Sequence, residues 1–339
     1  MHRLGLVSAR NGFGHARRLL NLAIGFIEVG LEVRMFVTSR QKELLQQEIN
    51  LFSNLTGMLK VITIGDYGID TIDPKFFRRD ELNRPERLVI QSLQSCDAVI
   101  SDNSFWPAEY VKEFYLLGHF DWIRFWRLQK NKNLQGIQDD FLDGYAHFWW
   151  PKVKAWFRTV DFGWPAPEGV RTIDIPLIRY YTDAIETSTS NRELNPVWIA
   201  YGTTGDRLFT PSEIDFGGLV TIQRESFHLH TTKHKPHFLI GRPGLGTIRD
   251  CLSTGTIFLP CGLGTNPELV KNAIELDKFG LIPSYWVEDI QSSHRLLIRE
   301  DFHSKLEDYH EALNVYWSYK SQNAVDVASS IFRSITLAV

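Results

Sequence analysis

The sequence predicts an α/β protein built from two similar halves. Its 339 residues, 43% of them apolar and 23% charged, are enough for two domains that each bury a core. In both halves, short apolar runs alternate with segments of helical periodicity, and a glycine-rich turn separates one strand from the helix that follows it. This order predicts parallel sheets that are covered by helices.

The first half reads as a βαβ unit that is followed by a further helix and strand. The predicted elements are a strand at 4–9, a turn at 10–14, a helix that ends at Gly30, a strand at 33–38, a helix at 84–94 and a strand at 97–101. The short connections favour a parallel sheet. The last of these strands leads directly into Asp102.

The middle of the chain is unusually aromatic, and its elements are not predicted with defined bounds. Seven of the ten tryptophans lie between Trp106 and Trp164. They form either a bulky core or a surface for flat, apolar or sugar-like groups. The segment 161–176, rich in Pro and Gly, and the polar run 186–195 are interpreted as the link between the halves.

The second half repeats the α/β pattern. The predicted elements are strands at 196–202, 219–222, 236–240 and 256–260, helices at 246–254 and 267–278, and helical structure from about residue 301. We expect an N-terminal domain over 1–185, a second domain over 186–320, and a C-terminal helix at 321–339 that packs back on the first domain.

Composition and charge exclude several classes of function. The net charge of 37 − 40 = −3 argues against a nucleic-acid partner, which normally requires a basic excess. No apolar run approaches the ~20 residues that span a bilayer, so we expect no transmembrane segment, while contact with a membrane surface stays open. The run at 4–9 is too short for a signal-peptide core. Three cysteines form no C-x-x-C pair, which favours a reducing cytoplasm over a disulfide framework or a structural zinc site.

The first chemical motif is a Gly-x-Gly-His turn between the first strand and the first helix. Glycines at 12 and 14 let a ligand approach the backbone, and the first amides of a helix form an anion or hydroxyl site. His15 begins that helix at the sheet edge where open α/β folds bind ligands, and an imidazole can accept a proton near neutral pH. The alternative is a histidine that only caps the helix.

The second motif is a Gly-Arg-Pro-Gly-Leu-Gly-Thr turn over 241–247, again between a strand and a helix. Amides at Gly244, Gly246 and Thr247 would suit a diphosphate at a helix N-terminus. Asp250, about one turn further, is placed to accept hydrogen bonds from a ribose diol, and Glu268 begins the next helix at the same sheet edge. A tight turn with a solvated acid is the equally open alternative.

Taken together and in this order, the motifs resemble those of the GT-B glycosyltransferases, in the branch of the MurG-like and family 1-like nucleotide-sugar transferases. Residues 14–18 match a Gly-His-x-x-Pro or Gly-His-x-x-Arg turn, and 200–206 match a Gly-Thr turn. Residues 242–250 match Arg-x-Gly-x-x-Thr-x-x-Glu with Asp in place of Glu, and 268–276 match the final acidic block with its Asn-Ala-x-x-Leu. The resemblance implies two Rossmann-like domains that face each other across a cleft.

The resemblance also implies a role for each matched residue. His15 is the general base on an acceptor hydroxyl, and Asp102 orients it; a helix N-cap is the alternative for Asp102. The implied donor-binding residues are Gly14, Arg18, Gly202, Thr203, Thr204, Arg242, Gly244, Gly246, Thr247, Asp250 and Glu268. The co-substrate is a nucleotide-diphosphate sugar, with no other cofactor. Because no Asp-x-Asp occurs, we expect transfer without a metal ion.

The acceptor is predicted only by class: a sugar, a lipid-linked group or a small molecule. Phe105 and Trp106, just after Asp102, are the predicted acceptor contacts, and the alternative is that they belong to the core. Arg18 stands where the transferases have proline, and the second half is short, as in the PseG-like nucleotide-sugar hydrolases, where the histidine activates water. Consumption of nucleotide sugar without an acceptor would indicate that hydrolase. A non-catalytic binding protein, with His15 and Asp102 too far apart to bond, is the third alternative.

Overall fold

The chain divides into two compact units, one of Met1–Ile178 with Gln322–Val339 and one of Arg179–Ser321. The structure is a computed structural model, and it describes residues 1–10, 13–52, 57–65, 85–129, 139–180, 197–200, 221–224, 238–260, 266–282 and 305–337.

The first unit contains a seven-stranded parallel sheet in the described part of the chain. Its strands are β1 (Arg3–Ser8), β2 (Glu32–Thr38), β3 (Leu59–Ile64), β4 (Ala98–Asp102), β5 (Phe114–Gly118), β6 (Ala155–Thr159) and β7 (Thr172–Ile175). They lie side by side in the order β3-β2-β1-β4-β5-β6-β7. The chain order therefore reverses direction between β1 and β4, which makes their shared carboxyl edge the switch point where α/β sheets bind ligands.

Helices follow the strands as the βαβ pattern requires. The described helices of this unit are α1 (Phe13–Glu28), α2 (Ser39–Leu51), α3 (Arg87–Gln94), α4 (Trp122–Gln129) and α5 (Asp139–Trp149), with short 3₁₀ turns at Trp106–Glu109 and Trp150–Lys152. A C-terminal helix, Ala324–Thr336, packs on α1 in the same unit.

The structure differs from the sequence prediction in the aromatic middle. β5 and β6 lie where no strands were predicted, and β7 lies within the segment 161–176 that was interpreted as a link. β7 pairs with β6, so this segment completes the first sheet instead of joining two domains. Helical structure from residue 301 is also interrupted, because Ser321–Asn323 is extended.

The second unit has its own parallel sheet. Among the described residues it has the order β10-β9-β11-β12, with β9 at Val197–Ala200, β10 at Thr221–Arg224, β11 at Phe238–Gly241 and β12 at Ile257–Pro260. α6 (Leu245–Thr254) follows β11, and α7 (Pro267–Lys278) follows β12. Leu306–Lys320 forms α8 of this unit. The C-terminal helix of the first unit, at Ala324–Thr336, is labelled α9. Two short strands, β8 (Leu177–Arg179) and β13 (Ser321–Asn323), pair with each other.

Many aromatic residues of the first unit belong to one continuous core. Seven tryptophans (106, 122, 126, 149, 150, 156 and 164) are buried in one cluster with Phe114, Leu116 and Phe120. Their rings meet mostly edge-on or tilted, as between Phe120 and Trp122 at a centroid distance of 5.0 Å. Such pairs add to the stabilisation that comes from the buried area itself. None of the described helices is both long and apolar enough to cross a bilayer.

Candidate functional site

His15 and Asp102 meet at the carboxyl edge of the first sheet. His15 lies in the first turn of α1, and Asp102 ends β4, whose register places it beside Ser8 of β1. The His15 Nδ1 atom is 3.0 Å from the Asp102 Oδ1 atom. Because a carboxylate only accepts, the hydrogen lies on Nδ1, and Nε2 is left as the basic nitrogen. The two predicted catalytic residues therefore form the hydrogen bond that their proposed roles require.

Arg18 completes this cluster from the same face of α1. It lies one helical turn after His15, so both side chains reach the end of β4. Its Nε donates to Asp102 Oδ2 at 2.9 Å, and its Nη2 donates to Asp102 Oδ1 at 2.5 Å. The sequence prediction placed Arg18 with the donor-binding residues; the structure places its guanidinium on the carboxylate that holds His15.

Asp102 is fully buried, and its charge depends on these partners. Burial alone would raise the pKa of the carboxyl group, but the nearby Arg18 guanidinium and the bond to His15 outweigh it and lower the pKa to about 2. The carboxylate is therefore ionised throughout the neutral range. His15 keeps 15% of its side-chain surface exposed, so its imidazole is accessible to solvent.

A tight turn after Asp102 fixes the end of β4. Asn103 has a φ of 57°, a left-handed conformation that Asn tolerates better than most residues. Its backbone N–H donates to Leu117 O at 2.9 Å, and in the amide orientation that satisfies its surroundings the side chain donates to Phe120 O and Leu117 O. A side chain at Gly118 would collide with this amide. The sequence analysis missed both residues; an Asn directly after a strand-ending Asp was the available signal.

The N-terminus of α6 carries the predicted diphosphate site of the second unit. Its N-cap residue is Gly244, which brings no side-chain acceptor to the first amides of the helix. Gly246 and Thr247 lie in this first turn and are half-buried. The turn is anchored by Asn272 of α7, whose Nδ2 donates to Pro243 O at 2.8 Å. Asn272 is fully buried and was part of the matched Asn-Ala pattern, but this role was not predicted.

The acidic residues predicted for the donor have different environments. Asp250 is buried, and its carboxylate pairs with Arg249, whose guanidinium carbon lies 3.3 Å from the ring centroid of Tyr180. Glu268 is half-buried in the first turn of α7, where Asn266 caps its amide at 3.0 Å. The half-buried Arg242 is at the start of the turn. The ribose and sugar roles of Asp250 and Glu268 stay predictions.

Several other predicted residues lie elsewhere. Gly202, Thr203 and Thr204 are outside the described residues. Phe105 and Trp106 are buried in the aromatic cluster, with 3% and 6% of their surface exposed. This burial favours the core alternative, and their acceptor role stays a prediction. Within the described ranges, no group of three or more His, Cys, Asp or Glu side chains could hold a metal ion.

Comparisons with solved structures identify the fold. LpCGTa in complex with UDP superposes with a TM-score of 0.62 at 11% identity, covering 99% of both chains. Arabidopsis thaliana UGT89C1 with UDP-L-rhamnose gives 0.58 at 10% identity over 98% of this chain and 99% of that one. The spinosyn forosaminyltransferase SpnP gives 0.57 at 13% identity over 99% and 100%. No protein-family model and no curated protein sequence matches the chain.

The chain has the GT-B fold of nucleotide-sugar glycosyltransferases. The fold predicted from the motif order is confirmed. The similarity spans nearly the whole chain, including the aromatic middle for which the motifs offered no match.

Proposed function

We propose that this protein is a glycosyltransferase that moves a sugar from a nucleotide-diphosphate sugar to an acceptor hydroxyl. The observation that carries the proposal is the 3.0 Å hydrogen bond between His15 Nδ1 and Asp102 Oδ1 at the switch point of a GT-B sheet. A non-catalytic binding protein has no need of a buried carboxylate that fixes the tautomer of a half-buried imidazole. The geometry therefore supports an enzyme over the binding-protein alternative.

His15 acts as the general base in this proposal. Its Nε2 accepts the proton of the acceptor hydroxyl as the oxygen attacks the anomeric carbon of the sugar. The imidazolium that forms is stabilised by Asp102, which is already ionised because its pKa is about 2. The bond from the anomeric carbon to the diphosphate oxygen breaks, and the nucleoside diphosphate leaves with the negative charge.

The second unit binds the donor in this proposal. Amides in the first turn of α6, at Gly246 and Thr247, face the diphosphate with the positive end of the helix dipole. Arg242 contributes a full positive charge at the same turn. Asp250 is assigned to the ribose and Glu268 to sugar hydroxyls. Two of the solved structures named above, LpCGTa and UGT89C1, are complexes with UDP and UDP-L-rhamnose, so uridine diphosphate sugars are the first donors to test.

The test is the substitution His15→Ala. Loss of the base should lower kcat by roughly 10²–10⁴-fold, while the affinity for the nucleoside diphosphate stays unchanged, because the donor is held by the second unit. Release of nucleoside diphosphate from a panel of nucleotide sugars is measured with and without an acceptor library, and nucleotide affinity by calorimetry.

The matched control is His147→Ala, because His147 is an exposed histidine on α5. It should keep the wild-type rate. Normal turnover by His15→Ala would remove His15 from the mechanism. Wild-type turnover of the donor that is independent of any acceptor would show that water is the acceptor, and the protein would then be a nucleotide-sugar hydrolase.

A further inference from the structure

The bidentate contact from Arg18 to Asp102 distinguishes this site from a simple His–Asp pair. Two charged hydrogen bonds at 2.9 and 2.5 Å occupy both oxygens of a carboxylate that has no exposed surface. Such a fork fixes the carboxylate plane as well as its charge. His15 shares Oδ1 with Arg18, and Arg18 Nη2 lies 3.5 Å from His15 Nδ1.

We propose that Arg18 is a positioning residue that acts through Asp102: it fixes the tautomer of His15 and keeps the imidazole neutral and ready to accept a proton. The inference rests on the proposed role of His15 as the base. It assigns Arg18 to the positioning of the base His15, whereas the sequence motif assigned it to the donor site.

The charge balance of the cluster supports this assignment. Before proton transfer, Arg18 and Asp102 cancel and His15 is neutral; afterwards the cluster carries one net positive charge. Without Arg18, the buried carboxylate would have only the imidazolium as its counter-charge, so His15 would hold its proton to higher pH. The guanidinium thus weakens the base slightly but keeps it in the neutral form that can react.

The residues around Asp102 support Arg18 as the counter-charge of the carboxylate. Among the described residues, the charges with the largest effect on the carboxylate are those of Arg18 and His15 on α1. On the flanking strands, the paired residues are Ser8 on β1 and Leu117 on β5, both uncharged. The neighbouring Arg17 forms its own buried ion pair with Glu48 of α2, at 2.8 Å.

The experiment separates the charge of Arg18 from its geometry. Arg18→Met removes the charge, and the acid limb of the pH profile of kcat/KM should move by about one unit to higher pH. Arg18→Lys keeps the charge but loses the fork, so the acid limb should stay in place while kcat falls by roughly tenfold. In both variants the affinity for UDP should match the wild type. Arg40→Met, an exposed arginine of α2, is the matched control.

A readout without substrate separates this inference from the proposed function. In ¹⁵N spectra of histidine-labelled protein, wild-type His15 should show the Nδ1–H tautomer, and Arg18→Met should keep the imidazolium form to a higher pH than the wild type does. This result in a protein with no transferase activity would support the Arg18 assignment and reject the proposed function.

A double variant keeps the inference testable if Arg18→Met does not fold. Asp102→Asn with Arg18→Met removes both buried charges, so no carboxylate is left unpaired. If Arg18 acts through Asp102, adding Arg18→Met to Asp102→Asn should leave the acid limb where Asp102→Asn alone places it. An unchanged His15 spectrum in Arg18→Met would overturn the inference. A loss of UDP affinity with an unchanged pH profile would return Arg18 to the donor site.

Discussion

Asp121 is a buried carboxyl group at the carboxyl edge of the first sheet, where Asp102 also lies. In the described part of the chain, no cationic side chain forms a hydrogen bond or an ion pair with Asp121. It follows β5 and caps α4, where its Oδ1 accepts from the Arg124 backbone N–H at 2.8 Å. Burial raises its pKa to about 6, and the bond from Arg124 offsets only part of this effect. Asp121 and Asp102 therefore show opposite pKa shifts at similar burial, because only Asp102 has a guanidinium on both oxygens.

This difference predicts how Asp121 changes the stability of the protein with pH. In the unfolded chain its pKa is near 3.8, so between about pH 4 and pH 6 the native state binds more protons than the unfolded state. The free energy of unfolding should therefore fall as the pH rises through this range, by up to about 3 kcal/mol from this residue. Asp121→Asn keeps the cap acceptor without the titration, so its stability should fall less.

Urea unfolding at pH 4.5 and pH 7.5 measures the effect. The difference in unfolding free energy between the two pH values should be smaller in Asp121→Asn than in the wild type. The exposed Asp140 on α5 provides the control variant Asp140→Asn, which should follow the wild type. Equal pH dependence in Asp121→Asn and the wild type would contradict the buried, protonatable carboxyl group.

At the residue scale, the sequence predicted the His15–Asp102 pair but not its third member. The pair was accessible because both residues follow parallel strands, and the carboxyl ends of those strands share one edge. The contact from Arg18 depends on how far α1 is rotated about its axis, which the packing of the whole unit decides. The i, i+3 spacing of His15 and Arg18 was the available signal.

At the scale of elements, the helix that carries the candidate base is held by the C-terminal helix. α1 and α9 approach so closely at Gly25 that a Cβ there would meet the backbone carbonyl of Ala324 and the side chain of Ala328. A backbone atom cannot move aside as a flexible side chain can. The orientation of α1, and with it His15 and Arg18, therefore depends on glycine at this position.

Gly25→Ala tests this contact. Although alanine favours a helix over glycine, the collision should dominate and lower the unfolding free energy by about 1–3 kcal/mol. Gly144→Ala is the matched control: it is also a helical glycine, on α5, and a Cβ there meets nothing within 4 Å. That variant should gain about 0.5–1 kcal/mol. A stabilised Gly25→Ala would show that the two helices do not pack as described.

The elements that the sequence missed share a physical cause. β5 (FYLLG) and β6 (AWFRT) are five residues each, and short apolar runs have no periodicity that separates strand from helix. β7 is four residues beside a Pro- and Gly-rich stretch, so its composition indicated a loop. Their pairing partners are distant in the chain, and only the assembled sheet selects the extended form. Longer elements with a clear period, such as α1, α6 and α7, were predicted within a few residues.

At the scale of the whole molecule, the order of motifs predicted more than any single motif. A glycine-rich turn before a helix is common, and each motif had an ordinary structural alternative. Two such turns, each in its own α/β half and in the order of the GT-B transferases, predicted the fold that the structural comparisons confirm. The proposed functions follow this division, with the base in the first unit and the diphosphate in the second.

The diphosphate site proposed in the second unit predicts that transfer does not need a divalent cation. The departing diphosphate carries negative charge that must be stabilised, and the first-turn amides of α6 supply about half a positive charge, to which Arg242 adds a full one. No Asp-x-Asp, the usual carboxylate pair for a catalytic cation in glycosyltransferases of the other major fold, occurs in the sequence.

The initial rate should therefore be the same in excess EDTA as in buffer with Mg²⁺. Nucleoside diphosphate is detected directly by chromatography, because coupling enzymes bring metal requirements of their own. A rate that is lost in EDTA and restored by Mg²⁺ or Mn²⁺ would show that the helix and Arg242 do not suffice.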